Sequence, residues 1–148
     1  MNAEFMNRAL ELAKIAREKG EVPIGAVVVK NNEIIGEGYN LREQKGSVIA
    51  HAEIMAIESA AKKLGDWRLD GCSLYVTLEP CPMCAGAIIN ARIAEVVFGA
   101  FDKRAGSCCG DSVVDLFACG YDQRPEVFGG IKEKECADLL SEFFKDKR

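Results

Sequence analysis

Residues 73–91 read SLYVTLEPCPMCAGAIINA, and this stretch decides the fold. Ser73 to Leu78 is an apolar and β-branched run, which predicts a buried strand. Pro82 suits the first position of a helix because the missing amide has no partner there anyway. The spacing of Met83, Ala87, Ile88 and Ala91 carries that helix onward. Upstream, Ala52 to Leu64 has helical spacing through Ile54, Ile57, Ala60, Ala61 and Leu64, with Gly65 as its stop. Further upstream, Ala26 to Val29 and Glu33 to Tyr39 flank Asn31-Asn32 and predict a hairpin. Ala3 to Lys19 predicts an amphipathic helix on Met6, Ala9, Leu10, Ala13 and Ala16. Downstream come a strand at Glu95 to Ala100, a loop at 101–112 and a short helix at Val113 to Ala118. A short strand at Glu126 to Phe128 and a closing helix at Lys132 to Lys145 complete the chain. Strands alternating with helices imply one α/β domain over residues 1–148, its sheet covered by helices on both faces.

Composition agrees with a globular protein. The chain has 148 residues, 49% hydrophobic and 28% charged, within the ~100–200 residues usual for one domain. No apolar run approaches the ~18–20 residues of a membrane span, and Met1 to Arg8 has no apolar stretch suited to secretion. The expected location is the cytoplasm. A net charge of −4 excludes a global basic field, so any nucleic-acid partner is held by local patches. Seven cysteines, an odd number, argue against a complete disulfide framework and toward metal ligation by some of them.

Two segments carry the chemistry: His51-Ala52-Glu53 at one helix start and Pro80-Cys81-Pro82-Met83-Cys84 at another. One imidazole and two thiolates suit Zn²⁺, and three protein ligands in place of four leave a position for water, as in catalytic sites. The positive end of the helix favours the thiolate forms of Cys81 and Cys84. Glu53, two residues from His51, is placed to move protons beside the metal. A lone C-x-x-C also occurs in structural zinc and redox sites; the only histidine of the chain falling in H-x-E turns the reading toward catalysis. H-x-E followed by P-C-x-x-C is itself the established signature of zinc nucleobase deaminases. Cys72, Cys108, Cys109, Cys119 and Cys136 read as small buried apolar groups. Trp67 and Phe143-Phe144 read as core or interface packing, and Lys62-Lys63, Lys103-Arg104 and Lys145 to Arg148 as solvated faces.

On these residues the chain resembles the bacterial tRNA-specific adenosine deaminases of the cytidine deaminase-like superfamily. The resemblance extends through 21–27 (EVPIGAV), 36–40 (GEGYN), 51–54 (HAEI), 74–87 (LYVTLEPCPMCAGA), 96–100 (VVFGA) and the closing 135–144. It implies a three-layer α/β/α domain with a five-stranded mixed sheet, a homodimer and one Zn²⁺ per subunit. It also implies conversion of adenosine to inosine at the wobble position of a tRNA anticodon stem-loop. By the same resemblance His51, Cys81 and Cys84 bind zinc, Glu53 is the proton shuttle, Asn40 touches the target nucleoside and Asp102 the RNA next to it. Glu53 would protonate N1 of the base and then the departing amine, after the base has swung out of its stack.

The chain departs from the family at Ser47-Val48-Ile49-Ala50, where Asp-Pro-Thr-Ala is frequent. It also departs at Asp122-Gln123, where Asn-His is frequent, and in the loop Gly106-Ser107-Cys108-Cys109-Gly110. None of these touches the metal set. Two other functions fit the same motifs: deamination of a free purine base, nucleoside or nucleotide, with guanine and deoxycytidylate as examples, and a non-catalytic zinc-stabilised RNA-binding module.

Overall fold

Asn31 and Asn32 both take positive φ, 50° and 61°, the backbone of a two-residue hairpin turn whose twist matches its strands. They join β1 (Gly25–Lys30) to β2 (Glu33–Tyr39) in antiparallel pairing, as the sequence predicts. The computed structural model describes residues 2–147; Met1 and Arg148, the ends of the expected domain and basic tail, lie outside the described residues. The remaining elements are α1 (Ala3–Glu18), α2 (Arg42–Lys45), α3 (Ala52–Leu64), β3 (Ser73–Leu78), α4 (Pro82–Asn90), β4 (Glu95–Ala100), β5 (Glu126–Gly129) and α5 (Glu133–Asp146).

The sheet order is β2-β1-β3-β4-β5. β1 runs antiparallel to both neighbours, while β3, β4 and β5 are parallel, so the sheet is five-stranded and mixed. Alternation along each strand divides the core in two. Ala26, Val28, Leu74, Val76, Val96 and Phe98 pack toward α3 and α4, and Val27, Val29, Tyr75 and Val97 toward α1 and α5. The architecture is three-layer α/β/α, as expected. Met6, Ala9, Leu10, Ala13 and Ala16 of α1 are buried as their spacing predicts.

Four expectations need correction. The innermost face of α3 is Ala52, Glu53, Ala56 and Ala60; Ile54, Ile57 and Ala61 are half-buried and Leu64 is exposed. The reason is close approach to β2: a Cβ on Gly38 would lie 2.5 Å from Ala52 O and Ala56 N, and one on Gly36 2.5 Å from Ala56 O. Only small side chains fit the contact face, so the larger aliphatics sit beside it. The helix expected over 113–118 is a single 3-10 turn, Leu116–Ala118, because no side chain caps its start and only Phe117 is buried there. Trp67 is exposed, with the Arg68 and Arg92 guanidinium carbons 4.6 and 5.4 Å from its ring centre; of the core or interface packing read for it, core is excluded, and cations lie over the ring. Finally, Cys119 is exposed and Cys109 half-buried, whereas Cys72, Cys108 and Cys136 are buried as read. Phe143 is buried and Phe144 exposed, and Lys62, Lys63, Lys103, Arg104, Lys145 and Lys147 are solvated.

Candidate metal centre and substrate pocket

The N-termini of α3 and α4 meet at one point. His51 is the N-cap residue of α3 and Cys81 that of α4, both in extended backbone, and Cys84 follows in the first turn of α4. His51 Nδ1 lies 3.7 Å from Cys81 Sγ and 3.6 Å from Cys84 Sγ, and all three donor atoms fall within 4.8 Å of one another. A tetrahedral zinc with Zn–S of ~2.3 Å and Zn–N of ~2.0–2.1 Å sets N···S edges of about 3.6 Å. The donor set fits that ion in both size and chemistry.

The ionisation follows from the packing. The Cys84 thiol and the His51 ring stabilise the Cys81 thiolate and push its pKa down to about 4. Cys84, beside that thiolate and buried, is pushed up, and His51 is raised by its bond to Cys81. A dication in their midst would hold both sulfurs as thiolates. Glu53, in the first turn of α3, is 4% exposed. Burial pushes its carboxyl up to about 7, against its own backbone amide, which lowers it.

His51, Glu53 and Cys81 line a cavity of about 170 Å³ together with Val22, Ile24, Asn40, Arg42, Leu78, Asp102 and Ala105. Five of the six residues singled out from the sequence, Asn40, His51, Glu53, Cys81 and Asp102, therefore line one cavity, and the sixth, Cys84, is fully buried beside His51. Asn40 is fixed there by its own side chain: Nδ2 donates to Val22 O at 3.3 Å, and Oδ1 accepts from Arg42 N at 3.1 Å. An amide offers two hydrogens and two lone pairs, so each end keeps capacity for a ligand. Asp102 Oδ1 accepts from Arg104 N at 3.0 Å and Ala105 N at 3.2 Å, holding the turn that follows it.

Two buried glutamates went unread in the sequence. Glu21 accepts from Glu43 N at 3.0 Å and Gln44 N at 2.7 Å, which anchors the segment bearing Asn40 and Arg42. Glu79 accepts from Asp102 N and Cys108 N, each at 3.0 Å. The available signal was a carboxylate embedded in apolar sequence, Glu21 before Val22-Pro23 and Glu79 at the end of a buried strand. A group of that kind is buried only where donors await it.

Residues 1–100 match the family described as the cytidine and deoxycytidylate deaminase zinc-binding region. The chain is 52% identical over 144 residues to the tRNA-specific adenosine deaminase of Bacillus subtilis strain 168, spanning 97% of this chain and 89% of that protein. It is similar to a solved structure from work on A-to-I editing by tRNA:A34 deaminases at the wobble position of transfer RNA. There the TM-score is 0.89 at 43% identity, over 94% of this chain and 100% of that one. It is also similar to a guanine deaminase from Bacillus subtilis, at 46% identity and TM-score 0.64 over 68% of this chain and 66% of that one.

Proposed function

This chain belongs to the tRNA-specific adenosine deaminases, within the cytidine and deoxycytidylate deaminase zinc-binding family, and we propose that it hydrolyses adenosine to inosine at the wobble position of a tRNA anticodon. It is a hydrolase of C–N bonds. The observation that carries the reading is the His51, Cys81 and Cys84 cluster, with His51, Cys81 and the buried Glu53 lining one cavity.

His51, Cys81 and Cys84 are the ligands of one zinc per subunit. When bound there, zinc supplies the Lewis acidity that makes a water ionisable near pH ~7. Glu53 is the only carboxylate in the first turn of α3; it accepts one proton of the attacking water and delivers it to N1 of the adenine, then takes the proton left on the added hydroxyl as the C6 carbonyl forms and gives it to the amine, which departs as ammonia. Its burial suits that task, since a carboxyl pushed up to about 7 gives and takes protons with little cost at neutral pH. Asn40 and Asp102 hold the substrate, Asn40 at the target nucleoside and Asp102 beside it. The apolar walls Val22, Ile24 and Leu78 receive the base after it leaves its stack, which is cheapest in a single-stranded loop.

The unit of function is residues 1–148 as a single deaminase domain, working as a homodimer on the anticodon stem-loop. The work belongs in the cytoplasm, where free thiols such as those of this chain stay reduced. No helix among the described residues is long and apolar enough to cross a membrane. The test is a panel: zinc-loaded protein with a stem-loop carrying adenosine at the wobble position and, in parallel, with adenosine, guanine and deoxycytidylate. Inosine in the RNA alone is the expected result. Ammonia from a free base or nucleotide with untouched RNA overturns the assignment, and zinc binding without any turnover would leave a binding module.

A further inference from the structure

Glu79 takes no part in the steps above, yet it is buried to 2% exposure at the wall of the cavity. Its carboxylate is the convergence point of the loop that follows β4. Oε1 accepts from Asp102 N at 3.0 Å and Oε2 from Cys108 N at 3.0 Å. The Ser112 hydroxyl and the Cys109 thiol, the latter at 3.6 Å, donate to the same Oε2. Next along the chain, Pro80 O accepts from the buried Ser107 hydroxyl at 2.7 Å. Residues 102–112 form no helix or strand, so their order comes from this clasp on Glu79-Pro80, immediately before the ligand Cys81. Gly106 is part of it, because a Cβ there would lie 2.5 Å from Glu79 Cδ and Oε1.

We propose that Glu79 is a positioning residue for the reaction: its carboxylate fixes the backbone of Asp102 at the cavity wall and so sets how tightly the RNA is held. This rests on the reading of Asp102 as an RNA contact. The carboxylate is specifically required, because its two oxygens only accept and four donors meet them. Glutamine would turn an NH₂ group toward either the Asp102 or the Cys108 amide, and that amide would lose its acceptor. Glu79 acts through Asp102 and leaves proton transfer at Glu53 untouched, so its removal separates affinity from chemistry.

The experiment compares Glu79→Gln, Gly106→Ala and Asp102→Ala with the parent, each zinc-loaded, on the wobble-adenosine stem-loop at a temperature where all are folded. Glu79→Gln and Gly106→Ala are expected to raise KM by about 10–100-fold, the usual range for groups that orient a site from behind. kcat and the zinc content should stay near those of the parent. Combined with Asp102→Ala, Glu79→Gln should add little, since both act on one contact. Backbone amide exchange at Asp102 and Cys108 should be accelerated in Glu79→Gln. A fall in kcat at unchanged KM, effects that multiply with those of Asp102→Ala, or unaltered amide exchange would overturn the proposal. If Glu79→Gln does not fold, Ser112→Ala removes one donor from the clasp and should raise KM in the same direction, and an unchanged KM would overturn it. A parent inactive on RNA would count against the function itself, and amide exchange would then still decide whether Glu79 holds Asp102.

Discussion

The two sides of the cavity are built in different ways. One side stands on the first turns of α3 and α4, with the proposed metal ligands at N-cap and first-turn positions of regular helices. The opposite side consists of the segment 40–45 and the loop 102–112, held by the buried carboxylates of Glu21 and Glu79. On the proposed function, chemistry that tolerates little displacement is assigned to rigid elements and recognition to loops pinned by a few hydrogen bonds. The division implies that substitutions on the helix side abolish turnover on any amine-bearing base, while those on the loop side change only how RNA is held.

The largest effect should come from Cys84→Ala. It removes one of the three proposed protein ligands, and bound zinc and turnover are both expected to fall to background, as read by metal analysis and inosine formation. Retained activity would break the comparison at its root. Glu53→Gln should keep the zinc and lower kcat by about 10²–10⁴-fold, the contribution of one positioned acid–base group. Single-turnover rates separate that from a change in binding. Gly38→Ala attacks the rigid side from behind, by pushing α3 off β2 where a Cβ lies 2.5 Å from the Ala52 carbonyl. A loss of about 1–3 kcal/mol is expected in denaturant unfolding.

On the loop side, Glu21→Gln leaves one of the Glu43 and Gln44 amides without an acceptor. A cost of about 1–2 kcal/mol in RNA affinity, with zinc unchanged, should appear in a binding titration. The smallest effect concerns the cysteines outside the metal set. Cys119 is exposed, whereas burial pushes Cys136 up to about 12. A thiol reagent should therefore label Cys119 first in the folded protein while activity persists. Labelling of Cys136 at the same rate would show that the packing of α5 on the sheet is looser than described.

The same contrast governs what could be read from sequence. Strand and helix periods survive in the chain as apolar spacing, so every strand and the three long helices were legible, and so was the hairpin, from Asn31-Asn32. The cluster of His51, Cys81 and Cys84 was legible because its parts are local: His51 and Glu53 lie two apart, and Cys81 and Cys84 three apart. Asn40 and Asp102, which the family resemblance singled out as substrate contacts, line the same cavity. What stayed hidden depends on contacts between distant segments. The inner face of α3 is set by Gly36 and Gly38 of another element, and a helix pattern alone points to its bulkiest residues instead. Glu21 and Glu79 act on partners 22 to 33 residues away. A carboxylate's acceptors carry no periodicity, so nothing local marks which loop they hold. Trp67 read by type as core or interface packing, and only the fold shows it at the surface beside two arginines.

The most direct measurement is the source of the new oxygen. The zinc-loaded protein would be run on the wobble-adenosine stem-loop in water enriched in heavy oxygen, and the digested RNA examined by mass spectrometry. The account predicts inosine at the wobble position alone, carrying heavy oxygen at C6, and no such product from Glu53→Gln on the same time scale. Adenosine left intact in the RNA while free guanine or deoxycytidylate loses its amine would contradict it.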